Sequence, residues 1–190
     1  MPSPVGHSLA GVLILQGTRR LGIEAPWPLA IVAVTSVADL DFVPGIVIGH
    51  PDRFHHGPSH SLCAALIAGV AAGLIARFAR VPRPQQFAGL IFVAYASHLL
   101  LDMFSTDSSV LRGVPLFWPW SRAYFNAPFD LFVAITRDRG SSGFLVSIVS
   151  WHNARAVLGE LVIMGTAVLL AHVMGARLGG SQPPRKAASR

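Results

Sequence analysis

The sequence is poor in charged residues. Only 13% of its 190 residues are charged, while 52% are hydrophobic, against about 25% charged residues in ordinary soluble domains. The mean hydropathy is +0.54. This balance excludes intrinsic disorder, which needs high charge and low hydrophobicity, and it leaves too few charges to cover a soluble surface. The remaining class is a small polytopic membrane protein with about one domain.

Cysteine and lysine are almost missing. The single cysteine, Cys63, excludes an intrachain disulfide and any cysteine-rich zinc motif. The net charge of +6 is typical of nucleic-acid binding, but Lys186 is the only lysine and the arginines are scattered over short connecting segments. A nucleic-acid surface would instead cluster basic residues with aromatic ones. We therefore expect no nucleic-acid partner, and we interpret the excess of arginine as a sign of membrane orientation.

Several apolar segments are long enough to cross a bilayer as helices, which takes about 20 residues. These segments are residues 27–48, 60–76, 87–104 and 156–176, and a shorter one covers residues 4–17. The short segment either crosses or lies at the interface, and it has no basic region before it, so we do not expect a signal peptide. The sequence thus predicts an all-α integral membrane bundle with four to five transmembrane helices and a long loop, residues 105–155, after the fourth. It predicts one domain over residues 1–178 and a disordered basic tail over residues 179–190.

Positive charge divides unequally between alternate loops if all five segments cross. One side receives Arg19, Arg20, Arg77, Arg80, Arg83, Arg177, Arg185, Lys186 and Arg190. Arginines of short loops stay in the cytoplasm, so we expect this side to be cytoplasmic. The other side, which we expect to face outward, has most of its arginines in the long loop, where the rule is weaker.

Histidine and aspartate side chains fall at the predicted outer ends of the segments. They are His7, Asp39, Asp41, His55, His56, His60, His98 and Asp102. Ionisable groups within spanning helices are costly and mark functional sites. Because residues that only support helix packing have no reason to choose one membrane face, this pattern predicts a single polar site. Glu160, on the same side, either joins this site or pairs with an arginine.

The spacing of these residues supports a common site. His98 and Asp102 are four residues apart, so they share one helical face, and His56 and His60 do the same if the next helix starts early. Asp39 and Asp41 are two residues apart. On a regular helix they would point in different directions, unless the helix unwinds near Pro44.

Imidazole and carboxylate groups together suit zinc, manganese or iron, and sets richer in carboxylates favour magnesium or manganese. We expect a divalent metal ion, zinc or manganese, bound as one or two ions, because the set exceeds what one tetrahedral zinc requires. A metal-activated water beside a spare aspartate or histidine would make a hydrolytic site.

Four short motifs occur in a fixed order, followed by a proline–tryptophan segment at residues 115–120. They are GHS at 6–8, DLD at 39–41, HHGPSHSL at 55–62 and HLLLD at 98–102. This order, between residues 6 and 120, resembles the YdjM-type (LexA-binding, inner membrane-associated) membrane-bound metal-dependent hydrolases. The resemblance implies a bacterial inner-membrane location and a metal-dependent hydrolase activity. It puts the family's polar positions on His7, Asp39, Asp41, His55, His60, His98 and Asp102.

The chain departs from the family pattern His-Arg-Gly-x-Thr-His-Ser at two positions. His56 stands where the family has arginine, and Ser59 stands where it has threonine. A neutral histidine lacks the forked guanidinium that binds a phosphate with two hydrogen bonds. This departure therefore weakens the inference that the motif holds a substrate phosphate.

These observations predict a membrane-bound metal-dependent hydrolase with the lipid bilayer as its environment. The expected metal ligands are Asp39, His55, His60, His98 and Asp102, and the expected catalytic residues, each as a ligand or a general base, are Asp41 and His7. A site at the depth of the headgroups suggests a lipid-like or phosphoester substrate.

Two other classes of protein remain. A metal or proton transporter would carry polar groups through to the cytoplasmic face, but the inner halves of the predicted helices carry almost no charge. A non-catalytic scaffold would bind a structural metal in a closed shell of four ligands.

Overall fold

The chain folds into helices joined by short turns and one long loop. A computed structural model describes residues 1–106, 113–138 and 143–179. The α-helices are α1 (Pro4–Arg20), α2 (Pro28–Val34), α3 (Phe42–Val47), α4 (Leu62–Phe78), α5 (Pro84–Met103), α6 (Phe144–Ile148) and α7 (Trp151–Gly179). Short 3-10 turns cover Ala38–Asp41, Pro51–Arg53 and Pro58–His60. The described residues contain two isolated bridges, Ser105–Phe132 and Val114–Phe125, and no strand, so the predicted all-α class is confirmed.

Local sequence signals set the helix starts. Proline occupies the first turn of α1, α2 and α5, where its missing N–H costs no hydrogen bond. Ser3 caps α1 by accepting from the Val5 amide at 3.2 Å, and Ser61 caps α4 by accepting from the Ala64 amide at 3.1 Å. The helix α4 thus starts only at Leu62, and His56 and His60 do not share a helical face as the sequence had suggested.

Two helices, α5 and α7, are long and apolar enough to cross a membrane, and a third span exists if α2 and the stretch Ala38–Val47 count as one. Length and composition therefore give two or three candidate spans among the described residues, and the predicted count of four to five is not confirmed. The segment over residues 27–48 is bent by 52° at its break. The break lies between Val34 at the end of α2 and the 3-10 turn that begins at Ala38, and Pro44 lies in the first turn of the next helix, α3.

The helices pack with alternating direction. Gly6 of α1 lies against Glu160 of α7, and Arg20 lies against Gly175, so α1 and α7 are parallel. The helices α4 and α5 are antiparallel and closely packed, because a Cβ on Gly69 would lie 2.9 Å from the Ala88 carbonyl oxygen. The basic residues Arg19, Arg20, Arg77, Arg83 and Arg177 fall at one end of the bundle.

The long loop crosses the opposite end of the bundle. It is attached there by backbone hydrogen bonds from Leu62 to Leu116 and from Ala127 to Met103. The helix α6 lies within this region, and α7 begins at Trp151, earlier than the predicted start of the last span. The predicted disordered tail lies, from residue 180 onward, outside the described residues.

Between the two ends lies an apolar core. Its buried members are Ile31, Ala76, Phe87, Leu90, Ile91 and Ala94. None of these side chains is titratable, so this layer separates the basic end from the end that carries the histidines.

Candidate metal centre

Four side chains from three parts of the chain meet at the end of the bundle under the long loop. Asp39 comes from the 3-10 turn after α2, His60 from the turn before α4, and His98 and Asp102 from the last turns of α5. We call the set of His60 Nε2, His98 Nε2, Asp39 Oδ1 and Asp102 Oδ2 the metal centre.

The spacing of these four atoms fits the shell of a single ion. His98 Nε2 lies 3.2 Å from His60 Nε2 and 3.1 Å from Asp102 Oδ2. His60 Nε2 lies 3.4 Å from Asp102 Oδ2, and Asp39 Oδ1 lies 3.8 and 3.7 Å from the two histidine nitrogens. Ligands bound at 2.0–2.1 Å around a tetrahedral zinc ion are about 3.4 Å apart. These five separations lie close to this value, so His60, His98 and Asp102 can surround one ion while Asp39 lies near the two histidine nitrogens.

The far side of each imidazole ring is held by an acceptor. His98 Nδ1 donates to the Thr35 carbonyl oxygen at 2.8 Å, and His60 Nδ1 lies 3.1 Å from Asp41 Oδ2. The Ser59 hydroxyl donates to the same Asp41 oxygen at 2.8 Å. An N–H on Nδ1 leaves the lone pair on Nε2, which is how metal-binding histidines are oriented in proteins. The tautomers required for metal binding are thus selected from outside the centre.

The buried carboxylates of the centre lack donors. Asp102 and both histidines are fully buried, and Asp39 is 13% exposed. Among the described residues, none donates a well-aligned hydrogen bond to either oxygen of Asp39 or Asp102. Burial of an ionised carboxylate is costly unless a cation or donors compensate it. The donor set therefore fits a divalent cation by both geometry and charge.

The electrostatic field of the centre is strongly negative. Burial lowers the pKa of His60, but the carboxylates of Asp102, Asp39 and Asp41 outweigh burial and hold this pKa well above its usual value. A positive charge at the Nε2 side of His60 is therefore strongly favoured, and a proton and a metal ion would compete for it.

His7 lies at the edge of the centre. Its ring stacks on His98 with 4.0 Å between the ring centroids, and its Nε2 lies 3.5 Å from Asp102 Oδ1. Neither of its ring nitrogens makes a hydrogen bond within the described part of the chain. Ligand atoms of His7, Asp39 and His98 also lie within 4.8 Å of one another. This second group would allow an additional ligand or a second ion.

His55 and Asp41 lie one layer outside the centre. His55 Nδ1 lies 3.1 Å from Asp41 Oδ1, and the His55 ring stacks on Phe42 at 3.9 Å. Asp41 thus connects His55 to His60, with one oxygen facing each ring. Burial lowers the pKa of His55, and the Asp41 carboxylate opposes this effect. The predicted ligand role of His55 and the predicted catalytic role of Asp41 stay predictions, and these contacts favour other roles that are developed below.

His56 and His60 come from a tight loop. His56 has a positive φ of 55°, and its Nε2 lies 3.9 Å from Asp102 Oδ2. Ligand atoms of His55, His56 and His60 lie within 4.8 Å of one another, so this loop offers a third possible group of ligands.

Glu160 has neither of the two expected roles. Its carboxylate accepts hydrogen bonds from the Ser3 amide at 2.6 Å, from the Gly6 amide at 3.1 Å and from the Ser3 hydroxyl. These donors belong to the start of α1, where a negative charge is favourable. Glu160 therefore fixes α1 against α7 and sets the position of His7, one residue after Gly6.

Sequence reasoning missed the groups that orient the site. The Thr35 carbonyl and the Ser59 hydroxyl contact the ligand network, and the Tyr95 hydroxyl donates to the Ser59 carbonyl oxygen at 2.8 Å. A signal existed for Tyr95, which is three residues before His98 and so lies on the same face of α5. No pattern in the sequence identifies a backbone carbonyl such as that of Thr35.

The fold and the site together define an all-helical membrane protein with a buried histidine–aspartate centre. A family model described as YdjM inner membrane protein matches residues 1–178. The chain belongs to this family, and it is an inner-membrane protein. The match extends well beyond the motifs at residues 6–120 and includes α7. No curated protein and no solved structure matched the chain.

Proposed function

We propose that this protein is a membrane-bound metal-dependent hydrolase. The observation that carries the proposal is the metal centre, in which His60 Nε2, His98 Nε2 and Asp102 Oδ2 lie 3.1–3.4 Å apart and Asp39 Oδ1 lies 3.7–3.8 Å from the two histidine nitrogens. An acceptor faces Nδ1 of each ring. In this arrangement, no well-aligned hydrogen bond from the described residues reaches the carboxylates of Asp39 and Asp102. The arrangement is suited to hold a cation.

Asp39, His60, His98 and Asp102 would hold a divalent ion, zinc or manganese, and His7 would add a ligand or help to hold a second ion. When bound, the ion supplies Lewis acidity and lowers the pKa of a ligated water. Asp41 and the Thr35 carbonyl keep the two imidazoles in the tautomer that binds metal.

His55 is the side chain that best fits the general base. Its Nδ1 faces Asp41, and its Nε2 makes no hydrogen bond among the described residues. An aspartate on one ring nitrogen leaves the other free to accept a proton from water. His55 lies nearer to the solvent than His7, because its side chain is 8% exposed and that of His7 is fully buried.

The charge distribution supports an outward-facing site. The arginines at the ends of α1, α4 and α7 lie at the opposite end of the bundle from the metal centre, and such residues stay in the cytoplasm. The helices α1 and α4, each of 17 residues, are about 26 Å long, close to the thickness of the hydrocarbon core. This length supports four to five membrane crossings when neighbouring helices surround them.

The depth of the centre suggests the substrate. Exposed apolar side chains surround the same end of the bundle, among them Val43, Val47, Trp120 and Trp151. Tryptophan is enriched at the membrane–water interface. A centre at this depth would act on a lipid or a lipid-linked ester or phosphoester.

The apolar core argues against a transporter. Its residues separate the centre from the basic end and offer no titratable group for a relay of ions or protons. A transporter needs polar groups along the whole path.

The proposal is tested by hydrolysis assays on detergent-purified, metal-loaded protein with phospholipid and soluble phosphoester substrates. We expect metal-dependent turnover, and we expect His55→Ala to retain its metal while kcat falls by about 10²–10⁴-fold, the usual contribution of a general base. His172→Ala, on the exposed part of α7, is the matched control and should keep full activity. Turnover that is absent or independent of metal would refute the hydrolase, and full activity of His55→Ala would refute the assigned base.

A further inference from the structure

Arg137, from the long loop, places its guanidinium on the Phe42 ring, one aromatic ring away from His55. Its side chain is 16% exposed, and its Cζ lies 4.1 Å from the centroid of the Phe42 ring. The same ring stacks on His55 at 3.9 Å. Phe42 thus joins the guanidinium to the histidine that lies next to His60.

The charge of Arg137 acts on the site itself. Burial lowers the pKa of Arg137, and the carboxylates of Asp52, Asp39 and Asp102 oppose this lowering. Two of these carboxylates, Asp39 and Asp102, belong to the metal centre. The positive charge of Arg137 in turn contributes to the lowered pKa of His55, after the larger effect of burial. The guanidinium therefore lies within the electrostatic field of the metal ligands.

The protein uses only part of the hydrogen-bonding capacity of this side chain. Nε of Arg137 lies 3.5 Å from Asp52 Oδ1, and Nη2 donates to the Met1 sulfur at 3.4 Å. In the described part of the chain, this contact with a weak sulfur acceptor is the only hydrogen bond from a terminal nitrogen of Arg137. A guanidinium has five N–H donors in a planar fork. Among the described residues, most of the terminal N–H donors are therefore not used by the protein, while Asp52 and Phe42 contact the group.

A buried guanidinium beside a metal centre is suited to an anion and not to a neutral ester. The forked donors match the geometry of phosphate oxygens. The loop at residues 55–61 has His56 where the resembling family has arginine, so that loop supplies no guanidinium to this site. Arg137 reaches the site from a different part of the chain.

We propose that Arg137 binds the phosphate group of the substrate beside the metal centre, so that the substrate is a phosphate ester. The inference rests on the proposed function and makes it specific, because a carboxylic ester would leave Arg137 without a ligand. Arg137 and the metal ligands would approach the same phosphate from two sides.

The test measures phosphate binding without turnover. Full-length protein is purified in detergent, loaded with Mn²⁺ and titrated with inorganic phosphate while the broadening of the ³¹P resonance is followed. The wild type should bind phosphate in a manganese-dependent way, and Arg137→Ala should weaken this binding at least about tenfold, the usual effect of losing a charge-assisted contact of this kind. Arg122→Ala, an exposed arginine of the same loop, is the matched control and should bind phosphate like the wild type.

Metal content is measured on every variant, so two kinds of failure can be told apart. A wild type that holds neither manganese nor zinc would refute the metal centre and with it the proposed function. A wild type that holds manganese but does not bind phosphate, or an Arg137→Ala protein that binds it with unchanged affinity, would overturn only the inference. If Arg137→Ala does not retain manganese, Arg137→Lys decides, because lysine keeps the charge and loses the fork. Weaker binding by this variant supports the inference, and unchanged binding overturns it.

Competition then identifies the source of the phosphate. Glycerol phosphate and a short-chain phosphatidic acid each compete with inorganic phosphate in the same titration. Stronger competition by the lipid indicates a lipid headgroup as the ligand, and stronger competition by glycerol phosphate indicates a soluble phosphate ester.

Discussion

Replacing Asp41 with asparagine tests how the site is built. One Asp41 oxygen accepts from the Ser59 hydroxyl at 2.8 Å and lies 3.1 Å from His60 Nδ1, and the other lies 3.1 Å from His55 Nδ1. An asparagine side chain has one acceptor oxygen and one amide nitrogen. It can accept from only one of the two rings, and its NH₂ group would meet the N–H of the other. At least one histidine must then change its tautomer or move.

The expected loss of metal affinity follows from the role of Asp41 as the group that orients the His60 ring. Loss of a group that orients a ligating histidine lowers metal affinity by about 10–100-fold, or about 1.4–2.7 kcal/mol. We therefore expect Asp41→Asn to bind zinc in this range more weakly than the wild type, as measured by competition with a chelator of known affinity. Asp130→Asn, an exposed aspartate of the long loop, is the control and should bind as the wild type does. An Asp41→Asn protein with unchanged zinc affinity would show that Asp41 does not orient the His60 ring through Nδ1, and the reasoning would fail.

Further predictions concern the start of α1 and the protonation of the site. Glu160→Ala removes the carboxylate that accepts from the buried amides of Ser3 and Gly6, so the free energy of unfolding should fall by about 1–3 kcal/mol or more. Thermal unfolding in detergent measures this loss, and an unchanged unfolding midpoint would contradict the expectation. Gly6→Ala would place a Cβ 2.8 Å from Glu160 Oε2, whereas the Cβ of Gly17→Ala would meet nothing within 4 Å. We expect Gly6→Ala to lower the free energy of unfolding and Gly17→Ala to raise it by up to about 1 kcal/mol. Equal effects of the two substitutions would argue against the close packing of α1 on α7. Because the surrounding carboxylates hold the pKa of His60 well above its usual value, a proton competes with the metal ion for this ring, so metal affinity should weaken as the pH falls. Metal titrations at several pH values should show this loss, and a pH-independent affinity would speak against it.

The end of the bundle at which the site lies was predictable from the sequence, because it depends on the order of the segments. When successive segments cross in opposite directions, the starts of the first and third segments and the end of the fourth lie on the same side. His7, His60 and His98 occupy these three positions. The structure brings these three residues to one end of the bundle, as that order predicts. Their i, i+4 spacing also placed His98 and Asp102 on one face of α5.

The continuity of the helices was not predictable from composition. Hydropathy measures whether a segment is apolar, and residues 27–48 satisfy that measure although the helix breaks after Val34. The break lets Asp39 face the metal centre while Asp41 faces the other side of His60. A regular helix would have turned these two carboxylates in directions that no single histidine could contact.

Contacts between distant parts of the chain escaped the sequence altogether. Glu160 is separated from the Ser3 and Gly6 amides by most of the chain, and Arg137 contacts Phe42 and Asp52 from a distant loop. The sequence assigned no role to Arg137. Glu160 could be interpreted as a ligand or an ion-pair partner, but a helix start is a third acceptable partner for a buried carboxylate. Only coordinates distinguish these cases.

The most direct measurement of the central claim is the metal content of the purified, full-length protein after loading with zinc or manganese and removal of loosely bound ions. The account predicts that the wild type and His172→Ala retain stoichiometric metal, while His60→Ala and Asp102→Ala lose it and remain helical by circular dichroism. Full metal occupancy in both of these site variants, or a folded wild type that retains no metal, would contradict the account.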